Sequence, residues 1–226
     1  MGNKRLNELI ALISKGQFKK LKSKILIKFG SREILFTEFY KTNVWGSAES
    51  ISGPGSELKY ASNIIKLLPA LLSKYNIKSI NDAPCGDFNY MKEIDLTGID
   101  YTGYDIVKRL IKSNNDKYKT GNIKFQYADV VQEILPLCDL ILSRDMFIHF
   151  SYEDALKTIK NFKLTGCRYL LTNNYPAILN NVDIKTGSWR PVNLLMEPYC
   201  FDEPVEIIEE YNSEEHGVKQ LALFKL

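Results

Sequence analysis

Two apolar segments of the chain each end in a carboxylate that could bind a nucleotide-like ligand. Asp82 follows the first segment and Asp105 follows the second, and a tight turn at Cys85 and Gly86, which we expect to open a helix, lies between them. Acidic residues at the carboxyl ends of strands are typical of the ligand-binding edge of a doubly wound α/β sheet. We therefore expect a ligand with its polar middle over the first turn and its ribose hydroxyls at Asp105.

A second group of polar residues follows a later apolar segment. His149 is a candidate general base, because the unperturbed pKa of histidine lies near neutrality. Asp145 could act as a base, orient His149 or bind a substrate hydroxyl. Aromatic residues flank His149, so a packed histidine is the alternative. A metal at Asp145 and His149 would need further ligands, and none stands at ligand spacing, so we predict no metal.

The first third of the chain is expected to supply helices and one glycine-rich loop. Apolar residues at helical spacing over residues 4–28 predict one or two amphipathic helices, broken near Gly16. Ser56 is a suitable N-cap for a helix over 57–75, whose free amides could bind an anion. An ordinary connecting loop is the alternative. The candidate ligand contacts in this segment are Trp45, Gly53, Gly55 and Ser56.

The rest of the chain alternates between predicted helices and strands. The expected elements are a helix over 106–118, strands over 123–129 and from 138, a helix over 152–162 capped by Ser151, a strand over 168–175, and antiparallel strands over 205–211 and 219–226. Residues 176–204 show no periodicity. Loops of this length inside a compact domain are often functional, so we expect this loop to face the substrate.

Polar and aromatic residues near the fifth strand and in this loop could bind the substrate. Amides suit hydroxyl groups, aromatic faces suit sugar rings, and arginine suits phosphate or carboxylate. Structural salt bridges are the alternative for each arginine. The candidates are Asn173, Asn174, Tyr175, Trp189 and Arg190, with Arg144 after the fourth strand.

The segment around the first turn resembles the glycine-rich first motif of the class I S-adenosylmethionine (SAM) methyltransferases. Asp82 takes the acidic position and Gly86 the central glycine, whereas Pro84 and Phe88 stand where the pattern usually has glycines. The spacing from Ser143 to His149 is similar to the fourth-strand motif of the same family.

This resemblance runs from about residue 43 to the end and implies both a fold and a cofactor, SAM. The fold is an α/β, Rossmann-like, seven-stranded and mostly parallel sheet with an antiparallel last strand. Residues 1–42 would be an N-terminal helical extension or lid, and residues 43–226 the methyltransferase domain. Asp105 would bind the ribose, and Asp129 would lie beside the adenine. The implied cofactor-binding residues are Trp45, Gly53, Gly55, Ser56, Asp82, Ala83, Pro84, Cys85, Gly86, Asp87, Phe88, Asp105, Ile106, Asp129, Val130, Ser143 and Arg144.

Composition and charge limit the possible partners. The 226 residues suffice for one α/β domain, and 45% of them are hydrophobic and 25% charged. Residues 1–30 carry a net charge of +7 and the remainder −4. This asymmetry suggests weak contact with a membrane surface or an acidic partner, a solvated helix face being the alternative. We predict no nucleic-acid binding.

The four cysteines and the apolar segments indicate the compartment. No two cysteines form a CxxC pair, which argues against a zinc knuckle or redox motif, and reduced packing residues are expected. Neither a signal peptide nor a membrane-spanning segment is predicted, so we expect a cytoplasmic protein.

Together these features predict an O-methyltransferase for a small polar acceptor. The segment from Trp45 to Ser56 is similar to that of a bacterial group found with polysaccharide genes, which implies a sugar or nucleotide-linked sugar acceptor. The alternatives are a different small acceptor and a SAM-binding scaffold without catalysis. The sequence Asn174-Tyr175-Pro176 lies after the wrong strand for a base aminomethyltransferase, and the three-glycine fingerprint of dehydrogenases is absent. The sequence does not define the oligomeric state.

Overall fold

The computed structural model describes residues 25–27, 30–213 and 217–226. In chain order its elements are α1 (Arg32–Thr42), α2 (Ser62–Lys74), β1 (Ser79–Asp82), β2 (Asp100–Asp105), α3 (Lys108–Tyr118), β3 (Ile123–Tyr127), β4 (Leu140–Ser143), α4 (Tyr152–Leu164), β5 (Tyr169–Asn174), β6 (Glu206–Ser213) and β7 (Gly217–Lys225). Short 3-10 helices lie at Pro54–Ser56, Met91–Glu93 and Phe147–His149.

The seven strands form one sheet in the order β3-β2-β1-β4-β5-β7-β6. Strands β1 to β5 pair in parallel, whereas β7 is antiparallel to both β5 and β6. Six strands therefore point one way and β7 is reversed, which confirms the predicted fold class. The strand order changes direction between β1 and β4, and ligands bind at this kind of switch point in α/β sheets.

Apolar side chains cover both faces of the sheet, because successive strand residues point to opposite faces. On one face Ile80 and Leu142 belong to the same buried cluster as Leu68 of α2. On the other face Ile141 clusters with Phe162 of α4. These two layers hold the carboxyl ends of β1 and β4 in fixed positions beside each other.

Helix α4 begins where the sequence predicts. The Ser151 side chain accepts a hydrogen bond from the Asp154 backbone N–H at 3.2 Å, which satisfies one free amide of the first turn. Glu153 and Asp154 place negative charge at the positive end of the helix dipole. The cap is therefore confirmed, and the helix extends two residues beyond the predicted end, to Leu164.

Helix α2 begins later than predicted. Its first residue is Ser62 and its N-cap is Ala61, so the prediction that Ser56 caps a helix from residue 57 is wrong. The Glu49 carboxylate accepts from the Leu58 N–H at 2.8 Å and so satisfies an amide that the predicted helix start would have left free. The anion site expected at that helix start is consequently absent.

The helix predicted after the first turn is also absent. Turns follow Gly86, and a single 3-10 helix at Met91–Glu93 precedes β2. Phe88 has a φ of +60°, a left-handed conformation that cannot continue an α-helix. The first crossover of the sheet is therefore built from turns.

The N-terminal helices predicted over 4–28 lie outside the described residues except for 25–27, which are helical. His216 also lies outside them. In the described part of the chain, no helix combines the length and the apolar character needed to cross a membrane.

Candidate functional site

A cavity of about 140 Å³ opens at the carboxyl ends of β1, β2, β3 and β4. Helix α1 and the loop at 45–56 close it from the opposite side. The predicted site residues that line it are Trp45, Ser56, Pro84, Cys85, Gly86, Asp105, Ile106, Asp129, Val130, Arg144, Asp145 and His149. Residues that the sequence analysis missed include Arg32, Phe36, Tyr40, Ser52 and Tyr90.

The turn after β1 places its backbone against the cavity. Gly86 has a φ of +53°, and a Cβ atom there would lie 2.2 Å from the Ser52 hydroxyl oxygen. Phe88 adopts the left-handed conformation for which the motif usually has glycine. Its ring packs on Tyr101 and Phe125 instead of facing the cavity. Phe88 thus stabilises the turn from beneath and does not contact the cavity.

Asp82 and Ala83, both predicted to contact the cofactor, are buried below the cavity. The Tyr101 hydroxyl donates to Asp82 Oδ2 at 2.6 Å, whereas Oδ1 is buried with no hydrogen-bond partner. Burial raises the pKa of Asp82 to about 7, with the Tyr101 hydrogen bond acting in the opposite direction. Asp82 therefore supports the turn from within the core.

Asp105 is a desolvated hydrogen-bond acceptor at the end of β2. The Val107 N–H donates to its Oδ1 at 2.9 Å. Burial raises the pKa of Asp105 to about 6, and hydrogen bonds from the backbone of Val107, Gly86 and Ile106 oppose that rise. No lysine or arginine is paired with it among the described ion pairs. The Asp105 carboxylate thus lies beside the cavity, where it suits a pair of ribose hydroxyls.

Asp129 is paired with an arginine from α1. Arg32 donates to both oxygens of Asp129, at 3.3 Å and 2.8 Å, and to Asp154 at 3.0 Å. This fork ties α1 to the end of β3 and to α4. Burial tends to lower the pKa of Arg32, but its hydrogen bond to Asp129 and the charge of Asp154 leave it raised overall. Asp129 therefore lines the cavity as an ion-paired carboxylate.

Asp87 holds the loop at 50–52 against the first turn. Its carboxylate accepts from the hydroxyl of Ser50 at 2.9 Å, from the Ile51 N–H at 2.9 Å and from the hydroxyl of Ser52 at 3.1 Å. It does not line the cavity, so its carboxylate positions the cavity wall rather than a ligand.

Two glycines let the same loop approach its neighbours closely. A Cβ atom at Gly55 would lie 2.7 Å from Asp145 Oδ2, and one at Gly53 would lie 3.1 Å from the Trp45 Cβ. Neither glycine lines the cavity. Their contribution is the close contact between this loop and the end of β4.

A buried ion network lies beneath the cavity. Arg144 Nε donates to Glu210 at 2.6 Å, and Lys219 Nζ lies 2.8 Å from Glu210 and 2.7 Å from Asp145. Asn173 donates to Glu210 at 3.0 Å and accepts from the Asp145 N–H. Arg144 Nη2 is the exception, because it is buried with no hydrogen-bond partner. The Arg144 side chain lines the cavity and stacks 5.0 Å from the Tyr90 ring centre.

The network makes Asp145 a poor general base. Burial alone would raise its pKa, but the charges of Lys219 and Arg144 lower it to about 2. Asp145 also has a φ of +58°, an uncommon conformation for a residue other than glycine. The fixed negative charge of Asp145 faces the cavity. Two of the three roles considered for Asp145 are compatible with this geometry, namely orienting His149 and binding a substrate hydroxyl.

His149 is held in a defined tautomer. Its Nδ1 lies 2.8 Å from the Ser188 carbonyl oxygen, which can only accept, so Nδ1 carries the proton. In the neutral ring, Nε2 is then unprotonated. Burial lowers the pKa of His149, although the Ser188 hydrogen bond and the charge of Asp145 act in the opposite direction. His149 therefore lines the cavity as a neutral imidazole with an available lone pair.

Of the residues proposed for substrate contact, Arg144 lines the cavity, whereas Asn173, Asn174, Tyr175, Trp189 and Arg190 do not. Asn174 accepts from the Leu194 N–H at 2.7 Å, and Tyr175 is buried in the core. Arg190 donates to the Phe147 carbonyl at 2.7 Å, as well as to Val182 and Tyr199, and so fixes the loop at 176–204. Trp189 is 45% exposed beside Ser188.

Ser143 is also buried, and its carbonyl accepts from the Thr172 hydroxyl at 2.6 Å. Within the part of the chain that the structure describes, no group of three or more histidine, cysteine or acidic side chains is arranged to hold a metal ion.

The reversed seventh strand, the switch point between β1 and β4, and a cavity above the strand-end carboxylates define the class I methyltransferase fold. N-methyltransferase NodS from Bradyrhizobium japonicum WM9, in complex with S-adenosyl-L-homocysteine (SAH), is similar with a TM-score of 0.58 at 13% identity, over 83% of this chain and 97% of that one. Magnesium protoporphyrin IX methyltransferase from Synechocystis PCC 6803 with bound SAH gives 0.57 at 12% identity, over 83% and 93%. TehB from Haemophilus influenzae gives 0.52 at 20% identity, over 75% and 66%.

Sequence comparison adds no closer relative. No protein-family model matches the chain, and no curated protein matches it. At these identities, the structural likeness establishes the fold. The named neighbours include an N-methyltransferase and a porphyrin methyltransferase, so the fold alone does not specify the acceptor.

Proposed function

We propose that this chain is a SAM-dependent methyltransferase that transfers a methyl group to a hydroxyl of a small polar acceptor. The observation that carries the proposal is the cavity itself. It brings Asp105, a desolvated hydrogen-bond acceptor, into one cavity with His149, a neutral imidazole. The first suits a nucleoside, and the second suits proton removal from a hydroxyl.

Three side chains fit the parts of the cofactor. Asp105 would accept from the ribose hydroxyls, and Asp129, at the end of the adjacent strand, would lie near the adenine. Arg144 Nη2 would donate to the carboxylate of the methionine part, because a buried guanidinium nitrogen without a partner is costly unless a ligand acceptor satisfies it. Arg144 thus replaces the helix start at residue 57 as the expected anion donor.

The chemistry requires alignment and a proton acceptor. SAM supplies an electrophilic methyl group when bound. The closing wall of α1 and the 45–56 loop would hold the acceptor hydroxyl in line with that methyl group and exclude water. His149 Nε2 would take the hydroxyl proton during attack, while Ser188 keeps Nδ1 protonated and the ring oriented.

Within this proposal, the acceptor is a sugar or nucleotide-linked sugar destined for a surface polysaccharide. The support is the resemblance of the segment from Trp45 to Ser56 to that of a bacterial group found with polysaccharide genes. Trp45 and Tyr40 line the cavity and offer aromatic faces that suit a sugar ring. Trp45 and Tyr40 would thus take the aromatic role that was predicted for Tyr175 and Trp189.

The first experiment measures the affinity for SAH by calorimetry. Asp105→Asn keeps the shape but replaces one acceptor oxygen by a donor, so we expect the affinity to fall by a factor of ten or more, equivalent to about 1.4 kcal/mol. Asp100→Asn is the matched control, since Asp100 begins the same strand and is exposed. The affinity of the control should equal that of the wild type.

Absence of SAH binding in the wild type would contradict the proposal. Binding that Asp105→Asn leaves unchanged would place the ribose elsewhere. SAH binding without methyl transfer to any hydroxylated acceptor, sugars and nucleotide sugars included, would favour the scaffold alternative.

A further inference from the structure

Two cysteines face each other at the amino-terminal ends of β4 and β5, whereas the cavity lies at the carboxyl ends of the strands. Cys138 and Cys167 precede β4 and β5 by two residues each, and the parallel register pairs Leu140 with Tyr169. Their sulfur atoms lie 2.8 Å apart, and the Cys138 N–H lies 3.2 Å from the Cys167 sulfur. Both side chains are buried, which protects the pair from large reagents.

The position of the pair, two residues before the paired Leu140 and Tyr169, is compatible with a disulfide. Adjacent strands lie about 4.8 Å apart, and disulfides join residues whose Cα atoms are about 4.4–6.8 Å apart. The Cys138 thiol and the Thr165 hydroxyl hold the pKa of Cys167 below its usual value, although burial opposes this. Cys167 is therefore the better nucleophile of the two.

We propose that Cys138 and Cys167 form a reversible disulfide site that a small peroxide oxidises and a thiol reduces. The Cys167 thiolate attacks one peroxide oxygen, the O–O bond breaks, and a sulfenic acid and hydroxide result. The Cys138 sulfur then attacks the Cys167 sulfur and expels the hydroxyl group as water. In total, the two thiols lose two electrons and two protons, and hydrogen peroxide becomes two molecules of water.

The proposed link would enclose a segment that carries part of the site. Arg144, Asp145 and His149 all lie between the two cysteines in the chain. A disulfide would restrict this segment in the unfolded state and so raise the unfolding temperature of the oxidised form. This inference does not depend on the proposed methyltransferase activity.

The test uses the full chain with Cys200→Ser, which removes the exposed cysteine and its intermolecular disulfides. The protein is treated with hydrogen peroxide, alkylated under denaturing conditions and digested with trypsin. Trypsin separates the two cysteines into peptides 125–144 and 164–168. We expect these peptides to be joined by a disulfide, with a loss of two hydrogen atoms from the intact mass. Dithiothreitol should reverse both changes.

Thermal unfolding provides a second measurement. Oxidised Cys200→Ser should unfold at a higher temperature than its reduced form, and Cys167→Ser in the same background should show no such rise. Recovery of both cysteines as alkylated thiols, under peroxide conditions that oxidise Cys200 in the wild type, would overturn the proposal. So would linkage of either cysteine to Cys85 instead. Neither result requires Cys167→Ser to fold.

Discussion

The imidazole of His149 can accept a proton because its other nitrogen is already committed to Ser188. We expect His149→Gln to lower the rate of methyl transfer to a hydroxyl by about 10²–10⁴-fold, the usual contribution of a general base. The affinity for SAH should stay near that of the wild type. Burial lowers the pKa of His149 from 6.5, so the wild-type rate should be constant above that pH and fall only in more acidic solution.

The pH profile is what separates catalysis from packing. A packed histidine would, when replaced, change stability or SAH affinity and leave the acid limb of the rate profile in place. His216→Gln, at the other histidine of the sequence, is the matched control and should keep the full rate. A His149→Gln enzyme that retains both the wild-type rate and its acid limb would exclude His149 as the base.

Sequence spacing predicts residues that a strand end positions and misses those that distant segments bring to the site. Asp105 and Asp129 line the cavity because Asp105 ends a strand of the parallel sheet and Asp129 lies just beyond the end of the next one. Lys219, by contrast, reaches Asp145 from β7, 74 residues further along the chain. The pairing register of β5 with β7 determines this contact, and that register is not visible in the residue pattern.

Among the elements, the loop at 45–56 is attached to the first turn by the Asp87 carboxylate, and Asn89 adds hydrogen bonds to Glu49 and to the Ser56 carbonyl. Asp87→Asn keeps one acceptor oxygen but turns an NH₂ group toward donors. We expect it to lower the free energy of unfolding by about 1–2 kcal/mol. The affinity for SAH should also fall, because Trp45, Ile51 and Ser52 of this loop line the cavity. Urea unfolding and calorimetry measure the two effects.

Asp95→Asn serves as the control for this loop. Asp95 is exposed, and its carboxylate accepts from the Thr97 N–H at 2.9 Å rather than from the loop. It should change neither the affinity for SAH nor the stability by more than a few tenths of a kcal/mol. Equal SAH affinity for Asp87→Asn and the wild type would show that the loop keeps its position without these three hydrogen bonds.

Elements were predictable where a local signal defines them. Ser151 predicts the start of α4, because a capping side chain and an acidic first turn follow each other in sequence. The turn after β1 was not predictable, because its residues resemble a helix start. In the folded chain, the left-handed conformation of Phe88 prevents a helix from forming there. The aromatic contacts of Phe88 with Tyr101 and Phe125, formed only in the folded sheet, favour that conformation.

At the scale of the whole molecule, segments distant in sequence build one cavity wall and one ion network. Helix α1 contributes Arg32 to the end of β3, and the terminal hairpin contributes Glu210 and Lys219 beneath β4. Buried charges of this kind stabilise little in themselves but penalise any arrangement that leaves one of them unpaired. The site is therefore complete only when all seven strands of the sheet, from β3 to β6, have paired.

The ionisation of the buried Asp82 carboxylate should make the free energy of unfolding depend on pH. Burial raises its pKa in the folded protein from 3.8 to about 7. Between these two values the folded protein keeps a proton that the unfolded chain releases. The stability that this proton contributes is thus complete below the unfolded pKa and is lost as the pH rises through the folded one. Asp82→Asn, which cannot ionise, removes this dependence.

We expect the advantage of Asp82→Asn over the wild type in free energy of unfolding to grow by about 1–3 kcal/mol between pH 5 and pH 8, at about 1.4 kcal/mol per pH unit up to the folded pKa. Urea unfolding of both proteins at the two pH values measures the difference. Contributions of Asp105, Asp145 and His149 are present in both proteins and largely cancel in it. Asp100→Asn, at the exposed start of β2, should follow the wild type at both pH values. Parallel pH profiles for Asp82→Asn and the wild type would mean that Asp82 ionises in the folded protein as readily as in the unfolded chain, and that its unpartnered Oδ1 is in contact with water.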